Sequence, residues 1–235
     1  MSYKEILIKM ALSYIKKRSV IVDLTCRTPQ YDRCLAEGLH DIGHSVSLWA
    51  AGCYSDTLCG VDFNVESCID IAAQTPGVSE QMAKRLKAVE YGVNLVALWW
   101  HVWRNEVNPV HFQWLPLMDA TAAEIALLRH MRKQGVRIVY TVHDLLPLDA
   151  TGTAAQEARQ RFETLYQTVD ALICHTDHSR NRLVNDFGVP VSKVWKIPHG
   201  PLTPGHLSTE RESDIPTSQK NPVAATQNGP TVLLF

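Results

Sequence analysis

The period of apolar and polar positions changes repeatedly along this chain, and each change marks an element. Short apolar runs rich in β-branched residues read as strands, and apolar residues recurring every three or four positions read as helices. Residues 3–18, "YKEILIKMALSYIKKR", pattern as a short amphipathic helix ending in a basic cluster. "SVIVDLT" (19–25) reads as a strand. "PQYDRCLAEGLHDIG" (29–43) reads as a helix, with Tyr31, Cys34, Leu35, Leu39 and Ile42 on one face and Gly43 as its stop. "HSVSLWAAG" (44–52) is a strand again. Residues 53–78 are irregular apart from a short strand over "VDFNVES" (61–67). Ser79 is placed to cap a long helix over 79–106, expected to be a core helix.

The alternation then continues. "PVHFQWLP" (109–116) is a strand, and "DATAAEIALLRHMRKQG" (119–135) is a helix with Asp119 as cap and Gly135 as stop. "VRIVYTVHDLLP" (136–147) is a strand and its exit, followed by a helix over 154–170. "ALICHT" (171–176) is a strand, "DHSRNRLVNDFG" (177–188) a helix, and "SKVWKIPHG" (192–200) a last strand. Strands alternating with helices predict an α/β fold, a Rossmann-like parallel sheet with helices on both faces. Ligands of such sheets bind outside the carboxyl ends of the strands. The exits to watch are therefore "TCRTP", "FQWLP", "TVHDLLP", "CHTDHS" and "IPHGP".

Residues 203–229 change character: Pro, Ser, Thr, Asn and charge replace large apolar residues, which reads as a linker. "TVLLF" (231–235) then resumes strand composition, as a second domain's truncated first strand would. The domain boundaries expected are 1–202, a linker over 203–229 and the beginning of a further domain over 230–235.

Composition removes several classes. With 46% apolar residues among 235, a sizeable core can form. A net charge of −1 gives no reason to expect nucleic acid. The six cysteines, at 26, 34, 53, 59, 68 and 174, include no C-x-x-C pair, which fits reduced, mostly buried thiols. No secretory signal and no apolar run of about 18 residues is present, so the expected location is cytoplasmic. The segments 3–18 and 79–106, the latter with "LVALWWHVW", are candidates for peripheral contact with the inner face of a membrane.

The chain lacks the Gly-rich phosphate loops and the G-x-S-x-G elbow. His175 and His178 stand three apart, but a metal would need a third ligand that the sequence does not specify; helix-capping and surface roles account for them, with Thr176 or Asp177 as cap. No metal and no cofactor is therefore assigned. His143 is the sharper case. Its ring can donate or accept a hydrogen bond near neutral pH, and Asp144 beside it can orient that ring or bind a sugar hydroxyl. The competing reading has His143 bonding a neighbouring loop and Asp144 in a turn.

The ordered series H-x-x-W-x-P, T-V-H-D, D-A-L-I and I-P-H-G, carried by residues 109–202, resembles the N-terminal half of family 4 glycosyltransferases, and 19–52 resembles it weakly. These are retaining enzymes of the GT-B fold, two Rossmann-like domains facing across a cleft. The resemblance implies an acceptor-side domain, with His143 meeting the sugar of a nucleotide-sugar donor held by the other domain. His143 and Asp144 are the implied catalytic residues; Arg27, Gln113, Trp114 and Thr176 are candidate substrate contacts on the rim. Arg27 could supply a cation to the diphosphate or be a solvated surface residue, and Trp114 could stack on a sugar or lie in the core. His199–Gly200 matches a structural segment leading to the interdomain crossing. The acceptor implied is a glycan or lipid-linked molecule, and the chain alone is expected to be inactive. A non-catalytic binding module that pairs with a separately encoded donor domain is the alternative. A hydrolase using His143 and Asp144 lacks a nucleophile or metal set.

Overall fold

The computed structural model describes residues 18–25, 27–51, 58, 60–69, 79–119, 121–146 and 152–199. The expected helix over 3–18 (apart from Arg18, which begins the first strand), the linker over 203–229 and the strand over 230–235 lie outside the described residues. Seven strands form one sheet: β1 (Arg18–Asp23), β2 (Ser45–Ala50), β3 (Asn64–Ser67), β4 (Val110–Phe112), β5 (Ile138–Thr141), β6 (Ala171–Cys174) and β7 (Val194–Lys196). Their order is β3-β2-β1-β4-β5-β6-β7, and every neighbouring pair is parallel. The chain winds one way from β1 to β3, then crosses back to β4 and winds the other way. The switch point lies between β1 and β4, where a doubly wound sheet opens a crevice at its strand exits.

Among the described residues, five helices cover the sheet: α1 (Pro29–Asp41), α2 (Glu80–Arg104), α3 (Ala123–Lys133), α4 (Gly152–Thr168) and α5 (Asp177–Asn185). Alternation along β1 divides the core in two. Val20 and Val22 point into a large cluster with Leu98 of α2, Leu128 of α3, Leu165 of α4 and Leu183 of α5. Ile21 points the other way, into a smaller cluster with Ala36 of α1, Val46, Leu48 and Phe63. Helices therefore lie on both faces, as the pattern predicts.

Several boundaries differ from expectation for local reasons. The strand expected over 109–116 pairs only through Val110–Phe112, because the chain turns into a 3-10 helix at Pro116–Asp119. That turn also moves the next helix start. Asp119 does not cap it; Ala122 holds the cap position without a side-chain bond, while Thr121 Oγ1 accepts from the Ala123 N–H at 3.3 Å. Ser79 does cap α2, accepting from the Met82 N–H at 3.4 Å. The α2 helix is not a core helix throughout. Tyr91, Leu95, Leu98 and Val102 are buried, whereas Val89, Val93, Val96, Trp100 and Trp103 are exposed. Of the cysteines described, Cys174 is buried and Cys34 and Cys68 are half-buried, so burial is less general among them than expected.

Phe112 lies fully buried on β4, beside the switch point and between β1 and β5. Phe112→Ala is expected to cost about 3–5 kcal/mol through lost transfer and the cavity left behind. Urea unfolding measures it, and a loss under 1 kcal/mol would contradict this packing.

Candidate functional site at the strand exits

Parallel neighbours about 4.8 Å apart must send the residues that follow them to one rim. Four adjacent exits carry the site: Gln113 after β4, His143 after β5, His175 after β6 and His199 after β7. The first of α1's turns closes over them from one face. Tyr31 meets the rings of His143, His175 and His199 edge-on, at centroid distances of 5.4, 5.3 and 5.1 Å. Edge-to-face contacts of this kind favour the aromatic quadrupoles and fix ring orientation.

A hydrogen-bond chain runs inward from His143. Gln113 is fully buried, and its Oε1 lies 3.1 Å from His143 Nε2. Its amide nitrogen lies 3.4 Å from His111 Nε2, which lies 2.7 Å from Thr141 Oγ1. With Gln113 Oε1 as acceptor, His143 carries its proton on Nε2, and its Nδ1 lone pair remains available. Gln113, a candidate substrate contact from sequence, therefore has both ends of its amide engaged within the fold. The ring of His143 is oriented by Gln113, while Asp144 next to it is exposed.

Trp114 supports the same ring from the side. Its indole stacks on His143, with centroids 4.7 Å apart and planes 11° from parallel. Its N–H donates to Thr28 Oγ1 at 3.2 Å, and the Arg27 guanidinium lies 4.9 Å from its centroid. Trp114 is thus half-buried, between the sugar-stacking and core roles considered from sequence. Thr176 caps α5, accepting from the Ser179 N–H at 3.0 Å. His178 is exposed and stands apart from the ring cluster; the partners of His175 come from other strands.

The loop after β1 explains how this fold manages without glycines there. Asp23, fully buried at the end of β1, accepts from the N–H groups of Thr25, Arg27 and Thr28 and from the Thr25 hydroxyl, at 2.7–3.3 Å. A Gly-rich loop would turn such N–H groups toward a bound phosphate. Here a carboxylate of the chain itself takes them.

Burial sets the charge of the site. Desolvation lowers the His111 pKa to about 3, with the neighbouring His143 adding to the effect. Desolvation, then His175 and His199, lowers the His143 pKa to about 4. Burial also lowers the pKa of His175. The rings of His111 and His143 are therefore neutral at pH 7. Sequence reasoning gave no site role to Tyr31 or Asp23, noted His111 only as part of the H-x-x-W-x-P motif, and read His199 as structural. The available signal was positional, one histidine just beyond each of three successive strands.

Residues 33–201, well over half of the chain, match the family described as Glycosyltransferase Family 4. The chain belongs to glycosyltransferase family 4. No curated protein matches it. Solved structures share the fold at low identity. This family 4 domain superposes on a glycosyltransferase from Rickettsia africae with a TM-score of 0.52 at 12% identity, covering 80% of this chain and 44% of that one. A Glycyrrhiza uralensis protein, UGT73P12, complexed with glycyrrhetinic acid 3-O-monoglucuronide, gives 0.54 at 8% identity, covering 80% and 49%. The chain thus spans under half the length of these structures, as one Rossmann-like half of a GT-B fold.

Stability should follow the buried histidines. The unfolded chain binds a proton at His111 near pH 6.5, and the folded chain only near pH 3. Between those values the unfolded state holds more protons, so stability is complete above about pH 6.5 and falls with pH by up to about 1.4 kcal/mol per unit. Thermal unfolding from pH 7 to 5 measures this. His111→Asn should flatten the profile, and an unchanged slope in that variant would refute the assignment.

Proposed function

We propose that this family 4 domain is the acceptor-side half of a retaining glycosyltransferase. It serves transfer of a sugar from a nucleotide-activated donor to a glycan or lipid-linked acceptor, in polysaccharide or glycolipid synthesis. The observation that carries the reading is His143. Its neutral ring stands at the strand-exit rim, oriented by buried Gln113 and backed by Trp114, with Nδ1 available to accept a hydrogen bond from a donor-sugar hydroxyl. Asp144, exposed beside it, is available to a second hydroxyl.

A cavity of about 470 Å³ suits the acceptor. It lies by the exits of β1 and β4, lined by apolar Leu24, Pro116 and Leu117 and by the charged Lys84, Lys87 and Glu90 of α2. The donor diphosphate needs another source of positive charge. Asp23 occupies the amides of the β1 loop, and Arg27, a cation within that loop, has its guanidinium over Trp114. Electrostatic stabilisation of the leaving group is often the largest catalytic term, so a facing donor domain is required.

In the protein that includes such a domain, His143→Ala should lower kcat about 100-fold with folding intact, as loss of one preorganised contact does. Wild-type turnover in that variant would sink the role of His143. The 235-residue chain alone should give no transfer from nucleotide sugars, and clear turnover by it would overturn the need for a second domain.

No helix among the described residues is long and apolar enough to cross a membrane. The exposed strip of Val89, Val93, Val96, Trp100 and Trp103 on α2 instead suits peripheral contact at a cytoplasmic membrane surface, where a lipid-linked acceptor resides. The chain is expected to sediment with phospholipid vesicles, and the double variant Trp100→Ser/Trp103→Ser to remain in the supernatant. Equal sedimentation of both would remove this strip from the reading.

A further inference from the structure

The three rim histidines have an arrangement that sugar transfer does not require. His143, His175 and His199 each offer a ring nitrogen, and these atoms all lie within 4.8 Å of one another. They come from the exits of β5, β6 and β7, so strand spacing itself brings them together. We propose that they form a binding site for one divalent transition-metal ion of the zinc class. The site rests on the histidines alone, and a metal on His143 Nδ1 would exclude the sugar contact proposed for that atom.

Hydrogen bonding has already sorted the nitrogens. His175 Nδ1 lies 2.8 Å from the Ile197 carbonyl oxygen, which makes Nδ1 the protonated nitrogen. Its Nε2 is left as a lone-pair donor, and that atom is buried with no hydrogen-bond partner. His143 mirrors this: Nε2–H goes to Gln113, and Nδ1 keeps its lone pair. A second ring nitrogen tied to a backbone carbonyl or side-chain oxygen is the usual outer-shell support of a metal-bound histidine. His199 supplies the third imidazole and is exposed at the rim.

The distances require a small closure. Zinc–nitrogen bonds of about 2.0–2.1 Å in tetrahedral geometry put the ligating atoms about 3.3 Å apart. The candidate ligand nitrogens lie within 4.8 Å of one another, so each pair has at most about 1.5 Å to close. The exposed His199 ring, tilted 32° against His175 at a centroid distance of 3.7 Å, is the ligand best able to turn toward a shared centre. Three imidazoles leave one position for water or an oxygen ligand, and imidazole nitrogen suits zinc, copper and nickel rather than magnesium or calcium.

The 235-residue chain, stripped of metal with a chelator, would be titrated with Zn²⁺ against a chromophoric competitor, and separately with Co²⁺ by absorption. One ion per chain is expected, with cobalt bands lacking the intense near-ultraviolet absorption of a thiolate ligand. His175→Ala and His199→Ala should each weaken binding at least about tenfold. Gln113→Leu should weaken it about 10- to 100-fold, as removal of outer-shell support does. His130→Ala, exposed on α3, should bind as wild type. Absence of one-ion binding, a thiolate band, or unchanged affinity in the histidine variants would each overturn the site. His199 is exposed, so His199→Ala keeps the test decisive even if His175→Ala fails to fold.

Discussion

Parallel pairing is the constraint on which the rest of this molecule depends. In an antiparallel sheet, successive strands would send their exits to opposite edges. Here seven parallel strands deliver every exit to one edge. Gln113, His143, His175 and His199 are far apart in sequence, yet each follows its strand by three residues or fewer. Adjacent order β4-β5-β6-β7 makes them a row. Alternation then sets the side of the row. Leu172 and Cys174 face the large core, so His175 falls on the other face, that of α1, where Tyr31 can reach it.

A second constraint acts at the switch point. A sharp strand-to-helix loop leaves several N–H groups without partners unless something accepts from them. Asp23 solves this inside the chain, with one carboxylate serving three amides and a hydroxyl. The same choice explains why glycines are absent from "TCRTP". Glycine is needed where a backbone must curl around an external anion, and here the anion is a side chain of the preceding strand.

The layout was legible because periodicity reports burial. Strands on a two-sided core read as apolar runs, "RIVYT" and "ALIC", and α1's amphipathic face read directly from Tyr31, Leu35 and Leu39. The boundary at Asp119 was not legible, since a capping-type residue also serves a 3-10 turn after Pro116. The two-sided character of α2 was hidden too. Its buried and exposed faces are both rich in large apolar residues, so pattern alone could not tell core from surface. At the site, His143 stood out through its ordered motif. The convergence of His175 and His199 upon it is a tertiary fact, and the nearer pair in sequence, His175 with His178, pointed the wrong way.

Electrostatics ties the row of rings together. Three imidazoles this close cannot all be charged at small cost, and burial disfavours the protonated forms of His143 and His175. Neutrality in turn makes each ring both a donor and an acceptor, with the partner of one nitrogen deciding what the other can do. Gln113 decides it for His143, and the Ile197 carbonyl decides it for His175. A charged row would repel cations and could not accept a hydroxyl proton. The neutral rings of His143 and His175 offer lone pairs at the crevice, and the one on His143 Nδ1 can serve a sugar hydroxyl or a metal ion but not both at once.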